Sequence, residues 1–183
     1  KTALSIDLAK HFNGEVISGD SMQVYRHLDI GTAKITPTEM AGVPHHLIDI
    51  CDIQERYSAA MFKQQAEQAI EDIAGRGHLP LVVGGTGFYL QTLTENLTLG
   101  QDHFDSRAAE IRQHWNRLAE ERGAAYVRQR LAELDPVAEQ HIEKGNLRRV
   151  IRALEVIEKT GRRFSDQPHQ KSANDFLLIG LTT

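Results

Sequence analysis

The sequence has 183 residues, of which 40% are hydrophobic, 25% charged and 6% aromatic, a globular composition that excludes disordered, collagen-like and disulfide-framework classes. A chain of this size buries roughly 70% of its extended surface and needs no metal or disulfide staple; its single Cys51 has no partner within the chain, which suits a reducing compartment. No stretch approaches the roughly 20 apolar residues of a membrane helix and no signal-peptide pattern opens the chain, so a cytoplasmic protein without membrane attachment is expected. The formal charge of −4 is unevenly spread, with 7 Lys and Arg against 13 Asp and Glu through residue 103 and 14 against 12 beyond it. That balance excludes a non-specific nucleic-acid coat but leaves room for a local basic surface.

In chain order, Ala3, Leu4, Ile6, Leu8 and Phe12 predict an apolar helix that ends near Asn13-Gly14, a pair tolerant of the left-handed C-cap conformation. Glu15 to Ser18 reads as a buried strand. Ser58 is placed to cap a helix in which Phe62, Ala66, Ala69, Ile70 and Ile73 recur at three- and four-residue spacing before Gly75 and Gly77. Leu79 to Val83 is a second short apolar strand. Strand, helix, strand without a hairpin signal predicts a parallel sheet covered by helices.

From residue 104 to 145 only helical periodicity is found. Ile111, Trp115 and Leu118 mark one segment, starting at Asp105 or Ser106; Tyr126, Val127, Leu131 and Leu134 mark another beyond Gly123, and Asp135-Pro136 restarts the helix. This reads as a helical insertion, with 146–183 returning to the core formed by 1–103. Asn146 caps a last helix with Val150, Ile151, Leu154 and Ile157 facing inward and Gly161 closing it. Residues 162–174 read as a mobile loop, and Asp175 to Thr183 as a strand. The chain opens on Lys1-Thr2 with no strand ahead of it, and both ends read as cuts in a longer protein.

Four places carry residue types suited to chemistry. Lys1-Thr2 ahead of a helix matches the last two residues of a phosphate loop, in which lysine neutralises phosphate, the hydroxyl binds magnesium and helix-start amides hold the anion. Asp20, Ser21 and Gln23 follow a strand, where parallel sheets place their ligand crevices; they are candidates for binding or proton transfer, and equally for capping a turn. Gly84-Gly-Thr-Gly87 permits close backbone approach, with Thr86 either a ligand donor or a helix cap. Arg148, Arg149 and Arg152 share one side of a helix and are followed by Arg162 and Arg163. They form either a solvated face or a set of bidentate phosphate contacts. Pro44-His-His-Leu-Ile-Asp49 lacks zinc-ligand spacing, so a polar network is expected there.

Taken together and in order, Ser18-Gly-Asp-Ser-Met-Gln-Val-Tyr25, Leu28-Asp-Ile-Gly-Thr-Ala-Lys34, Pro44 to Asp49, Tyr57-Ser-Ala59, Val83-Gly-Gly-Thr-Gly-Phe-Tyr-Leu90 and Arg148-Arg-Val-Ile-Arg-Ala-Leu-Glu155 resemble the tRNA dimethylallyltransferase (tRNA isopentenyltransferase) family. The resemblance implies a P-loop NTPase-like α/β core with an all-helical insertion. It also implies transfer of a dimethylallyl group from dimethylallyl diphosphate to N6 of an adenosine beside the tRNA anticodon, with Mg2+ as cofactor and a monomeric enzyme. By position it makes Asp20 the general base within the adenosine-binding segment Asp20, Ser21, Met22 and Gln23. Thr86, Arg107 and the stretch Arg148, Arg149, Val150, Ile151 and Arg152 become tRNA contacts, and Lys1 and Thr2 the end of the nucleotide- or diphosphate-binding loop, with Thr2 on the metal. The glycine-rich part of that loop and the family's C-terminal helical region have no counterpart here. An adenylate isopentenyltransferase acting on free nucleotide, a P-loop kinase and a non-catalytic RNA-binding module are the other readings. The arginine-rich helices oppose the first two, and Asp20 beside a phosphate loop opposes the third.

Overall fold

The structure, a computed structural model, describes residues 1–97, 106–166 and 174–181. The chain divides into two compact units, one formed by 1–99 with 169–183 and the other by 100–168.

The first unit is built on β1 (Gly14–Ser18), which pairs in parallel with β2 (His45–His46) on one side and with β3 (Leu79–Val83) on the other. All five residues of β1 are buried, and their alternation divides two cores. Val16 packs with Ile6 and Ala9 of helix α1 (Thr2–Phe12), and with Ile35 and Val43. Ile17 packs on the opposite face with Phe62, Ala66, Ile70 and Ile73 of α3 (Ala59–Gly75) and with Tyr89 and Leu93 of α4 (Gly87–Thr94). A central strand covered by helices on both faces is the arrangement that parallel strands require, and the chain has the expected P-loop-like fold. Phe62 and Tyr89 stack with ring centroids 4.5 Å apart, so α3 and α4 meet through aromatic area.

The helix boundaries follow local chemistry. Asn13 ends α1 at φ 52°, ψ 48°, and the Ser58 hydroxyl accepts the Met61 N–H at the start of α3. A short helix that the apolar pattern does not reveal, α2 (Pro37–Met40), is held by a complete capping box between Thr36 and Glu39. Of the five apolar residues that predict α1, Ala3, Leu4 and Phe12 are exposed, so the buried face is narrower than the apolar pattern suggests.

The second unit is helical: α5 (Ser106–Arg122), α6 (Ala124–Leu134), α7 (Pro136–His141) and α8 (Leu147–Thr160). Gly123, Asp135-Pro136, Asn146 and Gly161 act as the predicted breaks and caps, with Asp135 accepting the Ala138 N–H and Asn146 the Arg149 N–H. The expected division at 145 is not the observed one. Val150, Ile151, Ala153 and Leu154 of α8 share a single core with Ile111, Trp115, Val127 and Leu131, so α8 belongs with α5 and α6.

Two expectations for the C-terminal part also change. Residues 162–166 are tied down: the Ser165 N–H and hydroxyl both donate to the buried Asp135, each at 2.8 Å. Burial pushes the Asp135 carboxyl up, but the hydrogen bonds from Ala138 and Ser165 outweigh it and hold the carboxyl below its ordinary range. Residues 167–173 lie outside the described residues. The predicted strand from Asp175 is not found over 175–181; Phe176 packs on the Ile17 core, while Leu177, Leu178, Ile179 and Leu181 are exposed and their backbone joins no ladder. An apolar run is sufficient for a strand only where a free sheet edge meets it.

Glu15 is the costliest residue of β1 to bury and is correspondingly well paired. His46 Nε2 and His78 Nδ1 each lie 2.6 Å from its carboxylate, and Arg76 donates at 2.8 and 2.9 Å. This is the polar network anticipated for the His-His segment. The Arg76 hydrogen bond, with help from both histidines, holds the Glu15 carboxyl at about 2 against the opposing effect of burial. Its contribution to stability is therefore present above the ordinary glutamate range, near 4.5, and is lost as pH falls from there toward 2. Glu15→Gln is expected to cost on the order of 2–3 kcal/mol at pH 7 and to flatten stability between pH 4.5 and 2. Denaturant titrations across that range check it; a variant with the parent's acid profile would show that the network carries no pH-dependent stability.

Candidate active site

The carboxyl ends of β1 and β3 open into a cleft of about 190 Å³ lined by Lys1, Thr2, Ser18, Asp20, Gly84 and Gly85, among others. Its shape begins with a backbone contact. A Cβ on Gly84 would lie 2.1 Å from the Gly19 carbonyl oxygen and 2.7 Å from Gly19 Cα, so the two strand ends meet where neither carries a side chain. Gly19 N–H donates to Val83 O at 2.9 Å and Thr86 N–H to Gly19 O at 3.3 Å, lacing the loops together. At the next residue Lys1 closes in: a Cβ on Gly85 would be 3.1 Å from Lys1 Nζ. The ammonium thus sits over a loop with bare backbone, and Thr2 begins α1 beside it.

Asp20 turns the chain out of β1. Its Oδ1 accepts Met22 N–H at 2.8 Å and Gln23 N–H at 3.3 Å, while Oδ2 makes no hydrogen bond among the described residues. The two sequence readings of Asp20, turn cap and reactive carboxylate, are therefore compatible, one on each oxygen. Ser21 N–H donates to Thr86 Oγ1 at 3.0 Å, and Thr86 Oγ1 donates to Ser21 Oγ at 3.2 Å. Thr86 occupies the N-cap position of α4 without a side-chain cap; its hydroxyl instead joins the two strand-end loops. Met22 is exposed.

Gln23 is spent internally. Its amide donates to Thr32 O and Ala33 O at 3.2 and 3.0 Å, and its carbonyl accepts from Ser18 Oγ at 3.3 Å. It fixes the loop that supplies Thr32 and Ala33 to the cleft wall. Lys34, which sequence reading gave no role, does the same from the far side. With its side chain only 5% exposed, it donates to Tyr25 O, Asp29 and Asp49 at 2.7, 2.8 and 2.6 Å. Burial opposes its charge, and the two carboxylates more than compensate, raising its pKa. The Asp29 and Asp49 spacing in the sequence gives no hint of this, because the three residues meet only in the fold.

Among the described residues no group of three or more His, Cys, Asp or Glu side chains could hold a metal. The cleft does offer the Thr2 hydroxyl and the Asp20 carboxylate, hard oxygen donors of the kind magnesium takes alongside waters and substrate phosphates. His45 Nδ1 is bound to Val43 O.

Of the predicted RNA-contact residues, Asp20 to Gln23 and Thr86 lie in the first unit, and Arg107 and the 148–152 stretch in the helical one. Arg107 is exposed on the first turn of α5. Arg148 and Arg149 are exposed at the start of α8 and join no ion pair among the described residues, whereas Arg152 is bound to Glu155. Val150 and Ile151, 2% and 4% exposed, are core residues. Their side chains cannot meet RNA, and the stretch divides into an outward arginine face and an inward apolar one.

A family model described as IPP transferase matches residues 23–183. The chain belongs to the IPP transferase family. It is 69% identical to the tRNA dimethylallyltransferase of Limosilactobacillus reuteri and 64% identical to that of Limosilactobacillus fermentum, each over 183 residues, all of this chain and 60% of the relative. The chain thus spans about three-fifths of these relatives' length. Among solved structures, a eukaryotic dimethylallyltransferase acting on tRNA aligns with TM-score 0.75 and 36% identity, covering 94% of this chain and 43% of that one. The full-length tRNA isopentenylpyrophosphate transferase of Bacillus halodurans aligns with TM-score 0.55 and 49% identity, covering 88% and 52%. For this family member the close approach of the loops around Gly19 and Gly84 fixes the part of the cleft that carries Asp20 and Gly85. Gly84→Ala is expected to cost about 1–3 kcal/mol through forced backbone displacement and to shift the Asp20 turn. Denaturant unfolding measures it, and parent-like stability would show that the close approach is dispensable.

Proposed function

We propose that this chain forms the catalytic part of an enzyme that transfers a dimethylallyl group from dimethylallyl diphosphate to N6 of an adenosine beside the tRNA anticodon. The observation that carries the reading is the convergence in one cleft of Lys1 Nζ above Gly85, Thr2 and the half-committed carboxylate of Asp20. A lysine ammonium beside bare backbone suits a diphosphate, and a carboxylate with one spare oxygen suits a proton.

The N6 amine is a weak nucleophile because its lone pair is delocalised into the purine ring. Asp20 Oδ2 accepts a proton from it as N6 attacks the allylic carbon. The new C–N bond forms as the C–O bond to diphosphate breaks, and the departing oxygens gather negative charge. Lys1 and the first-turn amides of α1 stabilise that charge where it develops. Mg2+ held by Thr2 would add charge neutralisation at the diphosphate. A phosphate loop in this role serves anion binding, without any need for nucleotide hydrolysis.

The adenine must leave its stack to enter a pocket, at a cost of a few kcal/mol, and backbone contacts from the helical unit offset that cost. The outward face of Arg148 and Arg149 is suited to them. The arginine-rich helices favour a macromolecular acceptor over free nucleotide.

The direct test incubates the protein in its full natural length with labelled dimethylallyl diphosphate and either tRNA or AMP. Label in tRNA supports the reading, and label only in AMP overturns it in favour of the nucleotide enzyme. Because Asp20 Oδ1 holds the turn, Asp20→Asn is the cleaner variant. It keeps an acceptor for Met22 and Gln23 and is expected to lose about 10²–10⁴-fold in transfer rate, with tRNA affinity within a few-fold; turnover near the parent's would remove Asp20 as the base. Arg149→Ala is expected to weaken tRNA binding and lower its salt slope by about 1. Unchanged affinity and slope would count against the arginine face.

A further inference from the structure

At the seam between α5 and α8, Glu155 has no exposed surface at all, yet two arginines share it. Arg112 NH1 lies 3.3 and 3.2 Å from its two oxygens, and Arg152 NH1 lies 2.5 Å from Oε1. One turn further along both helices, Trp115 Nε1 donates to Glu158 at 2.7 Å and locks the register. A single guanidinium would neutralise the buried carboxylate. The second leaves one net positive charge on side chains that remain 49% and 37% exposed, and it places two like charges against one oxygen. That arrangement is poor as a stability device.

The donor count indicates its use. A guanidinium has five N–H donors, and among the described residues Arg112 and Arg152 each use NH1 alone. Nε and NH2 of both make no hydrogen bond among the described residues. Arg128 in the same unit shows the contrasting structural case, with Nε, NH1 and NH2 all bound to Glu139, Glu143 or Ile142. Two half-exposed guanidiniums, held side by side from beneath and with outward donors unspent, match the charge and fork geometry of a phosphodiester oxygen pair.

We propose that Arg112 and Arg152, oriented by the shared buried carboxylate of Glu155, form a clamp for a backbone phosphate of the RNA substrate. This rests on the reading of the enzyme as acting on tRNA. Arg112 becomes an RNA contact outside the Arg148–Arg152 stretch, and Glu155 a positioning residue that never touches RNA.

The test measures binding of an anticodon stem-loop RNA by the full-length protein across a salt series, with dimethylallyl transfer assayed in parallel. Arg112→Gln is expected to weaken binding about 3- to 10-fold and to reduce the salt slope by about 1. Arg112→Lys should restore the slope but only part of the affinity, because the charge returns without the fork. Glu155→Gln adds net positive charge, so electrostatics alone predicts tighter binding; loss of orientation predicts weaker binding, and weaker is the expected result. An Arg112→Gln protein with the parent's affinity and slope, whatever its melting temperature, overturns the clamp while leaving the enzyme reading intact if transfer persists. A parent protein that neither binds nor modifies the RNA overturns both.

Discussion

Everything in the cleft depends on two strand ends coming closer than side chains allow. Gly19 and Gly84 pass backbone to backbone, with only 2.1 Å between the site of a Gly84 Cβ and the Gly19 oxygen. Because β1 is central in the sheet and β3 is its parallel neighbour, this approach brings the loop after one strand against the loop after the other. Ser21 can then reach Thr86, and Gly85 can present bare backbone to Lys1. The chemistry proposed for Asp20 requires that its turn be held by something other than itself, since a carboxylate that did all the holding would have no oxygen left for a proton. The Thr86 bridge and the Gly19 laces supply that support.

Hydrogen-bond completeness separates charged and polar groups that hold the fold from those with capacity to spare. Glu15, Lys34, Asp135 and Arg128 each make several hydrogen bonds, to partners that the fold brings together. Each would be costly to strip of one partner, because an uncompensated buried charge is what remains. Asp20, Arg112, Arg152, Arg148 and Arg149 differ in leaving an oxygen or guanidinium nitrogens uncommitted among the described residues. Residue type alone does not draw this line. Gln23 has the composition of a ligand-binding residue and is wholly engaged in supporting the loop at Thr32 and Ala33.

What could be read from the sequence is what local chemistry determines. The caps at Asn13, Ser58, Asp135, Asn146 and Gly161 and the strands β1 and β3 follow from turn preferences and from apolar runs of limiting length. The candidate cleft was equally legible, because ligand crevices of parallel sheets lie where strands end. What escaped was decided by non-local pairing. The two residues of β2 carry no strand signal and exist because β1 has a free side for them. The run from Asp175 carries that signal, yet it joins no ladder over 175–181. Periodicity identifies the buried face of α8 but not its partner, so nothing local reveals that Val150 and Leu154 pack with Trp115 and Leu131 rather than with the core of residues 1–103. Family resemblance carried the whole stretch 148–152 as one contact surface, while helical geometry turns Val150 and Ile151 inward.

Net charge is a poor guide to a local basic face for a physical reason. The sum of −4 counts Glu155 fully, although its charge is buried beneath two guanidiniums and meets solvent only through them. A polyanion senses the charge presented at its own surface within about a Debye length, roughly 8–10 Å at physiological salt, rather than the sum over the molecule. A carboxylate placed under an arginine pair lowers the net charge of a face but fixes the guanidiniums in place, which reduces the entropic cost that a polyanion would otherwise meet in ordering them. An acidic residue count and a local face of oriented arginines are in this way compatible.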